Sequence, residues 1–128
     1  MRLADAKVEP AVAVTDMDRA REFYEGKLGL SDGTDEPDGG RTYPCGSRSG
    51  LHIFPSPNAG GSETTVAGWA VDDVEATVEE LTGNGVSFER YDEDPLRTDE
   101  RGIARLPDGS AAWFKDPDGN LLGIFQQR

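Results

Sequence analysis

The pentapeptide Asp116-Pro117-Asp118-Gly119-Asn120 stands between Ala111-Ala112-Trp113-Phe114-Lys115 and Leu121-Leu122-Gly123-Ile124-Phe125. Proline fixes φ, glycine accepts positive φ, and Asp and Asn can hydrogen-bond their own backbone, so the stretch reads as a tight connection between two strands. Its flanks recur. Gly50-Leu51-His52-Ile53-Phe54 resembles Asn120 with Leu122-Gly123-Ile124-Phe125, and the strand-to-helix passage from Val14 resembles that from Val71. The chain states one unit twice, and a duplicated unit implies two halves that pack about a shared surface.

Working outward, Val8 to Val14 is β-rich, with Pro10 near its start where a strand tolerates it. Thr15 or Asp16 can then cap a helix carrying Met17, Ala20, Phe23, Tyr24 and Leu28 on one stripe, which Gly29 ends. Residues 30–40 are rich in Gly, Asp and other turn formers, so a strand there is short and polar. Arg41 to Cys45 and Leu51 to Phe54 read as paired strands, giving a first module over about 8–55. The glycine- and serine-rich stretch at about 56–63 reads as a linker. A second module spans about 64–126: Thr64 to Val71 as a strand, Asp72 with Glu75 as a capping-box-like helix start, and a helix bearing Val74, Val78 and Leu81. Strands at Val86 to Tyr91 and Ile103 to Leu106 then precede the opening hairpin, with an acidic loop at 92–100 expected in solvent.

The 128 residues suit one domain with a real core. A net charge of −12 opposes nucleic acid as a partner and suits cationic or neutral ligands. Cys45 is the single cysteine, so neither an internal disulfide nor a cysteine metal cluster can form. No apolar run approaches membrane-spanning length, and the N-terminus lacks a signal-like apolar region. The expectation is a soluble, cytoplasmic protein. There is no Walker or Rossmann loop, and the lone histidine gives no chain context for a Ser-His-acid triad.

The stretch Val14-Thr15-Asp16-Met17-Asp18-Arg19-Ala20-Arg21-Glu22-Phe23-Tyr24 with Leu28-Gly29-Leu30, the Asp108-Gly109 turn, and Trp113 to Asn120 resemble the vicinal oxygen chelate superfamily. That group holds glyoxalases, bleomycin-resistance proteins and extradiol dioxygenases. The resemblance runs from about Val8 to Phe125. It implies an α+β fold in which two βαβββ modules curl a mixed sheet into an open cup, with helices on the outer face. It also implies a divalent metal held by the first and last strands of each module. Counting seven residues back from Asp16 and Asp73 and four on from Gly119, with the repeat Leu-x-Ile-Phe matching His52 to Gly123, the expected ligand positions are Glu9, His52, Val66 and Gly123. Val and Gly bring no donor, whereas a catalytic metal site needs about three protein ligands. No cofactor is therefore expected; the residual metal candidates are Glu9 and His52.

Strand alternation then puts Phe54 on His52's face and Phe125 on Gly123's. Counting from the two Asp-Gly turns matches Tyr43 with Trp113, a position that lines the pocket in related glyoxalases. The expected ligand-binding set is Glu9, Tyr43, His52, Phe54, Trp113 and Phe125, with Trp69 in the core. Such a lining favours a small aromatic or cationic molecule. The expected function is drug or metabolite sequestration without a catalytic metal. The alternatives are a lyase or dioxygenase acting on a small carbonyl or aromatic compound, with His52 or Glu9 as acid/base or metal ligand, and a cup that packs against a partner. A homodimer is the assembly the resemblance implies.

Overall fold

The computed structural model describes residues 2–6, 8–93 and 96–127. The chain divides into two compact units, Met1–Gly60 and Gly61–Arg128, and the break falls inside the glycine- and serine-rich stretch.

The first unit runs β1 (Ala11–Val14), α1 (Met17–Arg21), a π-helical turn (Glu22–Lys27), β2 (Thr34–Asp35), β3 (Arg41–Cys45) and β4 (Ser49–Pro55). Its sheet has the order β1-β4-β3-β2, with β1 parallel to β4 and the rest antiparallel. In the second unit β5 (Ala67–Ala70), α2 (Val74–Gly83), β8 (Ile103–Leu106), β9 (Gly109–Lys115) and β10 (Leu121–Gln127) repeat the plan as β5-β10-β9-β8. A small hairpin, β6 (Asp92–Glu93) with β7 (Leu96–Arg97), occupies the acidic loop. This is an α+β fold of two open, four-stranded mixed sheets.

Side-chain alternation explains the two faces of each sheet. Val12 and Val14 of β1, Leu51 and Ile53 of β4, Ala20 of α1 and Phe23 and Tyr24 of the π-helical turn are all buried. Phe114, Leu122 and Ile124 are buried with Val74, Val78 and Leu81 of α2 in the same way. Each such aliphatic side chain taken from water stabilises the fold by roughly 1.5–3 kcal/mol. Both helices start alike: Asp16 accepts from the Arg19 N–H at 3.2 Å, and Asp73 from the Ala76 N–H at 3.1 Å. The second cap is Asp73 rather than Asp72, one residue later than the capping-box reading placed it.

The helices differ in length by one residue. Thirteen positions separate Asp16 from the positive-φ Gly29, and twelve separate Asp73 from Gly85. The π-helical turn absorbs the surplus residue, since it winds wider than an α-turn. The strand expected at Val86 to Tyr91 is reduced to one bridge, between Phe88 and Phe114. No helix among the described residues is long and apolar enough to cross a membrane.

Candidate functional site

The exposed sheet face of the first unit is built by register. Ala11 lies beside His52 and Ala13 beside Phe54 in the parallel pair, while Thr42 sits opposite His52 in the antiparallel pair. His52 and Phe54 share this face, their rings stacked at 5.8 Å with an interplanar angle of 17°. Glu9 shares it as well: a Cβ built on Gly50 would lie 3.3 Å from the Glu9 carboxyl, and Gly50 has the parity of His52.

Both nitrogens of His52 are engaged. Nδ1 lies 2.9 Å from Thr42 Oγ1, and Nε2 lies 2.7 Å from Asp38 Oδ2. Asp38 is itself positioned by its turn, where Oδ1 accepts from the Gly40 N–H at 2.8 Å. That bond, and then the one from His52, holds the Asp38 carboxyl below the usual carboxylate range. An ionised carboxylate can only accept, so Nε2 carries a proton toward Asp38, while Nδ1 faces the Thr42 hydroxyl. Gly40 cannot be another residue, because a Cβ there would collide with the Ile53 carbonyl oxygen of β4.

Tyr43 does not belong to this face. It is fully buried on the helix side, where its hydroxyl donates to Glu25 at 2.7 Å. The count from the Asp-Gly turns slipped by one. The first hairpin is symmetric about Ser47 and the second about Asp118, so the residue matching Trp113, which sits opposite Gly123, is Thr42, which sits opposite His52. Burial, and then the bond to Glu25, push the Tyr43 hydroxyl well above its ordinary pKa. Glu25 also accepts from Arg21 at 2.8 Å, and Arg41 Nε lies 3.3 Å away. Hydrogen bonds from Arg21 and Tyr43 keep that carboxyl below its usual range.

In the second unit the corresponding face carries rings and glycines. Trp113 lies against Gly123, where a Cβ would stand 3.1 Å from the indole Cδ1, and Phe125 leans over Gly68. Tyr91 packs its ring edgewise on Trp113 at 5.9 Å and 77°. Trp113, Phe125, Gly68 and Gly123, together with Val66 and Ala111, line an open recess of about 350 Å³. Phe125 is 42% exposed there. Trp69 has the opposite parity and stacks on the buried Phe114 at 6.4 Å. A larger recess of about 480 Å³ lies beside α2, but its walls mix Glu79 and Glu100 with Arg90 and Arg101, and Arg101 is committed to Glu75 at 2.8 Å. The ring-lined recess is the better ligand site, because its apolar walls converge on backbone that lacks Cβ atoms.

The four expected metal positions fall in equivalent registers, Ala11 with His52 and Gly68 with Gly123, so Glu9 matches Val66 two residues earlier. Val66 and Gly123 have no donor atom, and both His52 nitrogens are taken by Thr42 and Asp38. Among the described residues no three His, Cys, Asp or Glu side chains are grouped as an ion would need.

Sequence reasoning missed Asp38, Thr42 and Tyr91. A count from the hairpin centre would have found Thr42. Asp38 and Tyr91 reach their partners through turns whose path composition does not encode.

A topology of two β-α-β units with parallel first and last strands defines a class, and comparison places the chain in it. The family model for the glyoxalase/bleomycin resistance protein/dioxygenase superfamily matches residues 8–124, and the chain belongs to that superfamily. It is similar in fold to a glyoxalase family protein of Bacillus anthracis, with 21% identity, 97% and 96% of the two chains covered and a TM-score of 0.73. It is also similar to TnmS3, an antibiotic binding protein from Streptomyces sp. CB03234, with 23% identity, coverage of 97% and 98% and a TM-score of 0.67. The fosfomycin resistance protein FosX of Listeria monocytogenes matches at 12% identity, coverage of 97% and 94% and a TM-score of 0.68. No curated protein matches by sequence.

Proposed function

We propose that this protein binds a small aromatic or cationic molecule and sequesters it without a catalytic metal. The observation that carries the reading is the recess over Gly68 and Gly123, walled by the rings of Trp113 and Phe125. Glycines let a flat ligand reach the backbone while the rings hold its faces, and aromatic faces attract cations. A net charge of −12 adds a favourable long-range field for a cation. Likeness to an antibiotic binding protein supports the same direction. Glu9, His52 and Phe54 form the polar counterpart face of the first unit. The working assembly is a homodimer in the cytoplasm.

The test is a titration of Trp113 fluorescence with flat aromatic, aromatic cationic and neutral aliphatic compounds. Saturable quenching by members of the first two sets is the expected result, abolished in Trp113→Ala. If no member quenches, or Trp113→Ala quenches equally through Trp69, the reading fails.

A second reading has its own support. His52, oriented at both nitrogens, suits acid–base work on a small carbonyl compound.

A further inference from the structure

The chain Asp38–His52–Thr42 has an orientation that neither ligand sequestration nor metal binding uses. The Thr42 hydroxyl oxygen lies 2.9 Å from His52 Nδ1, and the opposite ring nitrogen is fixed at 2.7 Å by Asp38. A hydroxyl in reach of a base, with that base oriented by a carboxylate, is the geometry that activates an oxygen nucleophile. Two strands and a tight turn hold it: Thr42 on β3, His52 on β4, Asp38 in the turn that Gly40 presses against β4. The His52 side chain is 22% exposed, so the group is open to a small molecule from the sheet face. Beside it Ala11 and Ala13 keep the wall low, and Phe54 provides a flat apolar surface.

We propose that Thr42 is a nucleophile activated by His52 and Asp38, which gives the first unit an acyl-transfer activity toward small activated aryl esters. Thr42 Oγ1 bonds to the ester carbonyl carbon while its proton passes to His52 Nδ1, and the carbonyl π pair moves to oxygen. Collapse breaks the bond to the leaving aryloxide, which takes the proton from Nδ1. Water then attacks the acyl-threonine, gives its proton to Nδ1, and the threonine oxygen recovers that proton as the carboxylic acid departs. No oxidant or reductant enters. The Gly40 N–H is spent on Asp38, so oxyanion stabilisation is poor and only good leaving groups react.

The experiment incubates the whole protein with p-nitrophenyl acetate, follows phenolate release, and maps acetylated peptides by mass spectrometry. The expected result is one acetyl group on Thr42, present in Thr42→Ser, absent in the isosteric Thr42→Val, with release slowed about 100-fold in His52→Asn. Melting curves establish that the variants fold; Thr42→Ser, which keeps a hydroxyl, guards against a merely structural loss in Thr42→Val. Acetylation only at lysines or the N-terminus, or phenolate release from Thr42→Val at the wild-type rate, overturns the assignment. The readout, an acetyl group on Thr42, is distinct from the fluorescence titration that tests the ring-lined recess.

Discussion

The two units share topology, register and helix caps, yet equivalent positions carry opposite chemistry. Where the first unit sets Thr42 opposite His52, the second sets Trp113 opposite Gly123. On the helix side, Tyr43 answers to Phe114: one donates a hydroxyl to Glu25, the other is flanked by Trp69 and Phe88. Backbone pairing fixes where a side chain points and leaves open what it does there. A duplicated fold can therefore make one face polar and the other ring-lined without altering a strand.

The largest test strikes the apolar version. Phe114→Ala removes a ring that is fully buried, and should cost about 3–5 kcal/mol by urea unfolding. A loss under about 1 kcal/mol would mean that Trp69 and Phe88 do not depend on it.

Next come the two hairpin turns. Asp116, 5% exposed, accepts from the Asp118 and Asn120 N–H groups at 2.9 and 2.8 Å and from the Asn120 amide at 2.8 Å. Asp116→Ala should destabilise by roughly 2–3 kcal/mol, because it strips several bonds to a charged group at once. In the first hairpin the Ser49 hydroxyl donates to the Cys45 carbonyl, one bond to a neutral group, so Ser49→Ala should cost no more than about 1 kcal/mol. Equal losses would erase the contrast.

Exchanging the helix-side rings is a smaller perturbation. Tyr43→Phe forfeits the bond to Glu25, about 1–2 kcal/mol, while Glu25 keeps Arg21 and Arg41. Phe114→Tyr should lose a similar amount for the reverse reason, an added hydroxyl among rings. If either swap stabilises the fold, the two positions are not the opposites described.

Acid separates the units least. Glu25 and Asp38 in the first, and Glu75 in the second, have folded pKa values below their unfolded ones. A carboxyl so shifted contributes stability above its unfolded pKa of about 4 and loses it as pH falls through the folded value. Melting temperature should hold from neutrality to about pH 5 and drop below pH 4. In Glu25→Gln that drop should shrink.

The hairpin residues, the helix stripes and the first cap were legible because each rests on local chemistry: positive-φ glycines, a 3.6-residue period, a side-chain oxygen before the first turn; the second cap fell one residue later than read because Asp72 and Asp73 offer the same oxygen. The parity of His52 and Phe54 followed from strand alternation alone. Tyr43 was misplaced because the two Asp-Gly turns stand at different distances from their strands, Asp38 four residues before Thr42 and Asp108 five before Trp113. The missing strand at Val86 to Tyr91 had the composition of one, but its pairing stops at the Phe88–Phe114 bridge and the Glu89 N–H donated to the Trp113 carbonyl. Asp38 was unreadable for a physical reason: its value lies in a fourteen-residue contact made by a turn, which no periodicity announces.

An α-helix advances about 100° per residue, so a chain lacking one of residues 22–24 would swing Glu25 away and take its carboxylate from the Tyr43 hydroxyl. The widened turn and the tyrosine are thus inherited together. Neither could be grafted into the second unit alone, and the surplus residue marks where the two copies ceased to be interchangeable.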